Sequence, residues 1–259
     1  MTYLDSVMDF ANTAIAKREK LRNDPMGFIV LAIMAGAYVG LGILLIFSVG
    51  QGVDPSIRPI VMGASFGIAL ILVVFAGSEL YTGHTMYMTH GVLTGKSSII
   101  DLIVCWFVSW YGNLFGAILL GALFVYGGGG LILQNEDKLL MYVVAEKKMH
   151  GEALQLFFNG ILCNWLVCLA LWSSSRTDND MTKIGIIWFC LYAFIAAGFE
   201  HSVANMTIFA VTLLSDHPDS LTFYGAFRNL LFVSAGNAVA GVGIMGIGYW
   251  LAAGKPKSI

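Results

Sequence analysis

Charged residues are scarce in this sequence of 259 residues. They make up 12% of the chain, about half of the roughly 25% that is usual in a soluble domain. Hydrophobic residues make up 58%, and the mean hydropathy is +0.77. Because so little charge cannot cover a surface in water, the composition excludes an ordinary soluble domain and indicates a protein embedded in the lipid bilayer.

Basic residues and useful cysteine spacings are lacking as well. The 14 Lys and Arg are outnumbered by 16 Asp and Glu, so no basic field is present to attract nucleic acid. The four cysteines lie in apolar runs without C-x-x-C spacing, which favours buried apolar side chains over disulfides or metal ligands. No Ser-His-Asp grouping or phosphate-binding glycine loop is present. We therefore expect no metal, no cofactor, no nucleic-acid partner and no enzymatic activity.

Long apolar runs are abundant, by contrast. Six segments reach the length of about 20 residues that a membrane-crossing helix needs. They are residues 27–49, 60–93, 100–126, 151–173, 184–214 and 223–252. Before them, apolar residues at helical spacing in residues 3–21 predict an amphipathic helix lying at the membrane surface. We expect an all-α membrane protein with an N-terminal cytoplasmic helix (1–24), a six-helix transmembrane domain (25–254) and a cytoplasmic tail (255–259).

Lys and Arg are distributed unequally between the two sides of the predicted spans. With the N-terminus inside the cell, nine basic residues lie on the cytoplasmic side and five outside. The nine are Lys17, Arg18, Lys20, Arg22, Lys96, Arg176, Lys183, Lys255 and Lys257. The five are Arg58, Lys138, Lys147, Lys148 and Arg228. The positive-inside rule therefore predicts that both termini are cytoplasmic.

The second and fifth segments are overlong, and each contains a similar acidic motif. Residues 77–79 (Gly-Ser-Glu) interrupt one, and residues 198–200 (Gly-Phe-Glu) interrupt the other. Gly-Asn recurs in the next segment of each half, at 112–113 and 236–237. Each half contributes three spans, an odd number, so the second half must enter the membrane upside down. The pattern predicts an inverted 3+3 repeat with spans 2 and 5 broken, which is typical of a transport site near the membrane midplane.

Polar residues at the two breaks are the candidate site. Backbone freed from a helix must be buried in protein or line a wet cavity. We interpret Glu79 and Glu200 as structuring their own loops by accepting hydrogen bonds from loop N–H groups; contact with a solute is the alternative. His201, with Asn205 four residues later, is either a buried core residue or a functional group whose ordinary pKa of about 6.5 allows a charge change at physiological pH. We favour the functional role. Thr82, in the opposite break, offers a hydroxyl to a small anion or to His201.

Two other kinds of membrane protein remain as alternatives. A redox subunit carrying haem is the rival from another class, but it needs axial histidines paired between spans, and His201 is a single central histidine. His84 and His90 are weaker candidates for contact with a solute. A pore for neutral solutes would share the inverted repeat, but the chain lacks paired Asn-Pro-Ala motifs.

Four stretches of the sequence resemble the formate/nitrite transporter family, most closely its bacterial nitrite-channel branch. They are residues 34–42 (MAGAYVGLG), 77–86 (GSELYTGHTM), 163–170 (CNWLVCLA) and 198–206 (GFEHSVANM). The resemblance implies an aquaporin-like protomer in a homopentamer, with one pore per protomer, in the bacterial inner membrane. It implies a channel or transporter for nitrite or a similar small monovalent anion, with formate and hydrosulfide as alternative cargoes.

The resemblance also assigns places along the pore. It implies that Thr82 and His201 face the pore, with Asn205 nearby. It implies apolar constrictions formed by residues of the second and fifth spans, with a tyrosine adding a hydroxyl. These residues are Phe66, Leu70, Leu80, Tyr81 and Phe194.

The chain departs from the family at one charged position. Many relatives carry a lysine early in the fourth span, to attract anions, and this chain has Asn159 there. Lys147 or Lys148 would then have to attract the anion. For the proton, two mechanisms stay open: His201 is protonated and gates conduction by pH, or it gives a proton to the anion so that the neutral acid crosses.

Overall fold

The computed structural model describes residues 2–134 and 139–256, and these residues are helical, with no strand among them. The helices are α1 (Tyr3–Asn23), α2 (Pro25–Gly50), α3 (Arg58–Ser65), α4 (Ile68–Phe75), α5 (Tyr81–Leu93), α6 (Ile99–Tyr126), α7 (Gly130–Leu133), α8 (Leu140–Met149), α9 (Ala153–Ser174), α10 (Asp180–Ala196), α11 (Ser202–Leu214), α12 (Phe223–Val239) and α13 (Gly248–Ala252). A π-helical stretch, Ala240–Ile247, connects α12 to α13. The all-α architecture predicted from the sequence is confirmed for these residues.

Five helical segments of the described chain are long and apolar enough to cross a membrane. They are Pro25–Gly50, Arg58–Phe75, Ile99–Tyr126, Ala153–Ser174 and Phe223–Ala252. The fifth apolar segment of the sequence, residues 184–214, consists of two shorter helices, α10 with 17 residues and α11 with 13. Two of the basic residues on which the predicted orientation depends, Lys138 and Lys257, lie outside the described residues. Most of the predicted tail lies outside them as well.

Helices end and restart at both acidic motifs. Residues 76–80 separate α4 from α5, and residues 197–201 separate α10 from α11; we call them the first and the second interruption. Gly77 and Gly198 both have a φ angle of +75°. Only glycine takes this left-handed conformation without a steric cost, so each glycine allows the chain to turn out of its helix.

Long helices pack in matching pairs that bring the interruptions together. α2 packs along α6, and α9 packs along α12. A Cβ atom on Gly36 would meet the backbone carbonyl of Asn113, and one on Gly236 would meet that of Phe157, so the backbones touch at both crossings. The restarted helices cross between halves: α11 packs on α6, and α5 packs on the π-helical stretch.

Helix α1 forms as predicted and packs chiefly on α5. Its buried residues include Val7 and Phe10. The Phe10 ring stacks on Tyr87 and on Trp172, with ring centroids 5.3 Å apart in both pairs. Part of the apolar face is therefore covered by protein, whereas Leu4 is exposed, and the location of the helix at the membrane surface stays a prediction.

Candidate functional site

The two interruptions meet through His201 and Thr82. His201 is the N-cap of α11, and its Nδ1 accepts a hydrogen bond of 3.1 Å from the backbone N–H of Ala204. Its Nε2 lies 3.2 Å from the Oγ1 of Thr82, in the first turn of α5. Because Nδ1 is an acceptor, a neutral ring carries its hydrogen on Nε2 and donates it to Thr82. The hydrogen of the Thr82 hydroxyl then stays available to another acceptor.

The backbone of the first interruption is held by Asn113 of α6. Its Nδ2 donates to the carbonyls of Ala32 and Glu79, at 2.8 and 2.9 Å, and its Oδ1 accepts from the N–H of Tyr81 at 2.9 Å. The N–H of Glu79 donates to the carbonyl of Leu31 at 3.2 Å. The asparagine thus supplies the partners that helical hydrogen bonding no longer provides.

The second interruption is held in the same way by Asn237 of α12. Its Nδ2 donates to the carbonyls of Gly160 and Glu200, at 2.8 and 3.1 Å, and its Oδ1 accepts from the N–H of Ser202 at 3.0 Å. The N–H of Glu200 donates to the carbonyl of Asn159 at 3.3 Å. The repeated Gly-Asn pair in the sequence pointed to both asparagines, although sequence reasoning gave them no role.

Glu79 lies in a buried chain of ionisable groups. The Nζ of Lys17, on α1, lies 2.9 Å from its Oε1 and 2.8 Å from its Oε2. The Nε2 of His84 lies 2.8 Å from the same Oε2, and the Nδ1 of His84 lies 3.2 Å from the Sγ of Cys105. His84 is 1% exposed and Glu79 is 2% exposed, so the carboxylate is compensated by protein groups rather than by bulk water.

The Glu200 carboxylate is hydrogen-bonded by the amide of Asn205, whereas the Glu79 carboxylate is hydrogen-bonded by the imidazole of His84. The Oε1 of Glu200 accepts from the Nζ of Lys148 at 2.8 Å, and its Oε2 accepts from the Nδ2 of Asn205 at 2.6 Å. Asn205 also donates to the Oδ1 of Asn229 at 2.9 Å, and Asn229 donates to the carbonyl of Lys148 at 2.9 Å. Three helices, α8, α11 and α12, are thereby joined around one carboxylate.

These bonds correct the role expected for the two glutamates. Among the described residues, neither Glu79 nor Glu200 accepts a hydrogen bond from an N–H group of its own loop; both bind side chains of other elements and of the restarted helix. Asn113 and Asn237 accept from the first N–H groups of α5 and α11, and the hydrogen-bonded N–H groups of the loops donate to backbone carbonyls of the preceding and neighbouring helices. The two carboxylates pair instead with the ammonium groups of Lys17 and Lys148.

Asn164 of α9 connects the two interruptions and was missed by sequence reasoning. Its Nδ2 lies 3.3 Å from the carbonyl of Thr82, 3.0 Å from the Oγ1 of Thr85 and 2.7 Å from the carbonyl of Asn237. The sequence offered only its place in the 163–170 motif as a signal, which does not show what the side chain contacts.

Two cavities approach the central pair from opposite interruptions, and no described residue lines both. The Glu200 cavity has a volume of about 760 Å³, and His201, Asn205 and Phe194 are in its wall. The Glu79 cavity has a volume of about 480 Å³, and its wall includes Leu70 and Leu80. Three other residues predicted to line the pore or its constrictions are buried and line neither cavity. They are Phe66, Tyr81 and Thr82.

Aromatic rings lie next to the central pair. The rings of Phe66 and Phe194 meet edge to face at 5.6 Å, and Phe194 stacks on His201 at 5.9 Å. The Tyr81 hydroxyl donates to the carbonyl of Ser234 at 3.2 Å. This hydroxyl is therefore bonded within the protein, and its place at a constriction stays a prediction.

Basic side chains are gathered at the Glu200 cavity. Its wall includes Arg58, Lys147 and Lys148, together with Asn159. Lys148 is paired with Glu200, whereas Lys147 is exposed and forms no ion pair with any described residue. Among the described residues, no carboxylate lies within ion-pair distance of the Lys147 ammonium group.

Comparison with known proteins identifies close relatives. The chain is 49% identical over 256 residues to "Nitrite transporter NirC" of Salmonella typhimurium, covering 99% of this chain and 93% of the relative. It is 32% identical over 244 residues to "Formate channel BtFdhC" of Bacillus thuringiensis, covering 93% and 92% of the two chains. These relatives are named as a transporter and a channel, not as enzymes.

Solved structures and a family model agree with these relatives. The structure of an "FNT family ion channel" matches with a TM-score of 0.93 and 49% identity over 96% of this chain and 98% of the other. "Pentameric formate channel with formate bound" matches with a TM-score of 0.73 and 29% identity over 88% and 96%. The model described as "Formate/nitrite transporter" matches residues 8–251. The chain belongs to the formate/nitrite transporter family.

Proposed function

We propose that this protein conducts nitrite, and other small monovalent anions less readily, across the bacterial inner membrane. Its six membrane-crossing segments form an aquaporin-like inverted 3+3 repeat with spans 2 and 5 broken, and five copies assemble with one pore each. The observation that carries the proposal is the meeting of the two interruptions at His201 and Thr82, 3.2 Å apart, between two cavities. The likeness to a pentameric formate channel, at 29% identity, supports the pentamer.

The choice of nitrite is supported by the relatives. Those named as nitrite transporters are 47% and 49% identical to this chain, whereas two relatives named for formate are 37% and 32% identical. Formate remains the second candidate, because the pentameric structure with formate bound has the same fold with a TM-score of 0.73. Hydrosulfide is a third anion of the same charge.

The charge distribution sets the orientation in this proposal. With the N-terminus in the cytoplasm, α1 and the Glu79 cavity, whose wall includes Phe10 and Lys17, face the cytoplasm. The Glu200 cavity then faces outside, where Lys147 attracts the anion. The domain limits follow from this orientation: a cytoplasmic helix in residues 1–24, a channel in 25–254 and a cytoplasmic tail in 255–259.

The anion passes three environments on its way in. It enters the Glu200 cavity, loses water beside Phe66 and Phe194, and receives a hydrogen bond from the Thr82 hydroxyl, whose oxygen is held by the Nε2–H of His201. It then leaves past Leu70 and Leu80 into the Glu79 cavity, while Tyr81 packs behind the constriction. Taking an ion out of water costs several kcal/mol, so this His201–Thr82 donor pair is needed where the path is driest. Asn205 holds Glu200 away from the anion.

His201 acts first as a donor and only secondarily as a pH sensor. A second proton on its ring would have to occupy Nδ1, which faces the N–H of Ala204 at 3.1 Å. Two N–H groups then repel each other. We therefore propose that protonation of His201 loosens the start of α11 and changes conduction as the pH falls.

The test is nitrite flux into proteoliposomes between about pH 5 and 8, with formate and hydrosulfide as competitors. We expect saturable nitrite flux that changes with pH and is reduced by both competitors. Protein-free vesicles measure the leak of nitrous acid through lipid. If formate or hydrosulfide passes and nitrite does not, the cargo assigned here is wrong and the channel fold is retained.

A further inference from the structure

His84 and Asn205 occupy corresponding places in the helices that follow the two interruptions but differ in chemistry. Each lies five residues after the glutamate of its interruption and hydrogen-bonds the carboxylate of that glutamate, at 2.8 Å for His84 and 2.6 Å for Asn205. An amide cannot bind a proton near neutral pH, whereas an imidazole can. The carboxylate of Glu79 therefore has a proton-binding partner at the position where that of Glu200 has an amide.

The surroundings of His84 satisfy both of its protonation states. Nε2 faces the Glu79 carboxylate, which accepts a hydrogen bond in either state. Nδ1 faces the Cys105 thiol at 3.2 Å, and a thiol is both a weak donor and a weak acceptor. The neutral ring accepts from S–H through Nδ1, and the charged ring donates to sulfur. His84 thus gains or loses a proton without losing a hydrogen bond, unlike His201, whose Nδ1 faces an N–H.

The charges around His84 are nearly balanced. Glu79 contacts it from the first interruption, Cys105 from α6 and Tyr87 from its own helix at a ring distance of 6.2 Å. On the side of α2, the ring of Phe28 lies 5.8 Å away and carries no charge. Lys17 of α1 reaches His84 only through Glu79.

The proton also has a route to bulk water. Glu79 and His84 both line the Glu79 cavity, of about 480 Å³. Lys183 of α10 lines the same cavity and is paired with Asp180 at 3.1 Å, so its charge is compensated. A proton released by His84 can therefore pass to cavity water or to an anion in the cavity.

We propose that His84, held between Glu79 and Cys105, binds and releases the proton that moves with the anion. The step is a single proton transfer: imidazolium gives its proton to nitrite, which forms nitrous acid and neutral imidazole, or the reverse. No other bond is made or broken. The proposal rests on the proposed nitrite conduction and locates the proton at the Glu79 cavity instead of at His201.

The experiment compares His84→Asn, which copies the amide of the other interruption, with His217→Asn. His217 hydrogen-bonds the carbonyl of Pro218 and lines neither cavity. Nitrite flux and the internal pH, reported by an entrapped dye, are recorded together in proteoliposomes. We expect His84→Asn to lower the number of protons moved per nitrite by about tenfold or more, the lower end of what a positioned acid–base group contributes. His217→Asn should match the wild type.

A second pair of variants tests the same site without changing the histidine. Cys105→Ser keeps a donor and acceptor beside Nδ1 and should keep proton movement, whereas Cys105→Ala should reduce it. Equal proton movement in wild type, His84→Asn and Cys105→Ala overturns the inference, and so does a wild type that moves nitrite without protons. A wild type that moves no nitrite overturns the proposed function instead.

Discussion

In the first interruption Glu79 is followed by Leu80, and in the second Glu200 is followed by His201. The backbones around these different residues are alike. Each has a glycine with a φ angle of +75°, and each is bonded by a buried asparagine from the next long helix of its half. The two interruptions thus share a scaffold, formed by the glycine and the asparagine, but differ in their side chains: the second places His201 against Thr82, and the first places His84 between Glu79 and Cys105.

The cations of the two interruptions also come from different places. Lys17 reaches Glu79 from the N-terminal helix α1, whereas Lys148 reaches Glu200 from α8. Helix α1 directly precedes α2 in the chain, and α8 directly precedes α9. The pairing of a buried glutamate with a lysine of an earlier helix is therefore a feature that the two interruptions share.

The largest expected effect is loss of the shared scaffold. Asn113→Ala and Asn237→Ala should each lower the free energy of unfolding by about 3 kcal/mol or more, because a buried N–H or C=O left without a partner costs about 1–3 kcal/mol. Thermal unfolding in detergent, followed by loss of the folded peak in size-exclusion chromatography, measures the change.

An exposed asparagine serves as the control for this pair. Asn23→Ala removes one long, exposed hydrogen bond of 3.3 Å to Glu19 and should leave the midpoint nearly unchanged. If Asn113→Ala is strongly destabilised and Asn237→Ala is not, the two interruptions do not share a scaffold.

The next largest effect is expected on nitrite flux, when either member of the His201–Thr82 pair is changed. His201→Asn keeps a side chain that can cap α11 but loses the Nε2–H donor, and Thr82→Val loses the hydroxyl. Each should lower nitrite flux by about tenfold or more, since a hydrogen bond to a charged group is worth about 1.5–3 kcal/mol. Initial rates in proteoliposomes across pH give the result. An unchanged rate and pH profile in His201→Asn would refute the central role of this histidine.

A smaller difference in stability is expected between variants that break the Lys148–Glu200 and the Lys17–Glu79 ion pairs. Lys148→Met leaves Glu200 with an amide partner, whereas Lys17→Met leaves Glu79 with His84, which can take up a proton and compensate the charge. Both lysines are partly exposed, so we expect only about 1–2 kcal/mol for Lys148→Met and less for Lys17→Met. Thermal unfolding in detergent compares the two variants.

A double variant checks the cause of this difference. Glu200→Gln added to Lys148→Met removes the uncompensated carboxylate and should restore most of the lost stability. Equal destabilisation by the two lysine variants, at pH values on both sides of neutrality, would contradict the compensation assigned to His84.

How far the sequence predicts this structure depends on the kind of interaction. A glutamate inside an apolar run is rare, and glycine next to it allows a left-handed turn, so both interruptions were readable near residues 77–79 and 198–200. Contacts between distant elements were not. Lys17 and Glu79 are 62 residues apart, and only the packing of α1 on α5 brings them together.

The site shows the same division between local and tertiary signals. His201 was found because it directly follows a helix break, and its neighbour Thr82 because it lies at the other break. The partners of Asn113 and Asn237 could not be predicted, because a Gly-Asn pair in a helix does not show which loop lies across from it. The apolar periodicity of α1 predicted the helix but not its contacts with α5, since the same periodicity suits lipid and protein.

The smallest expected effect concerns the approach of the anion to the two cavities. Lys183, beside the Glu79 cavity, is paired with Asp180, whereas Lys147, beside the Glu200 cavity, has no ion-pair partner among the described residues. Lys147→Gln should therefore slow nitrite entry from the Glu200 side by a few-fold at low salt, within the roughly 1 kcal/mol that an exposed charge contributes. Lys183→Gln should not. At about 1 M salt, where the screening length falls to about 3 Å, the two variants should be alike. An equal loss in both variants at low salt would mean that anion attraction does not distinguish the two ends of the pathway.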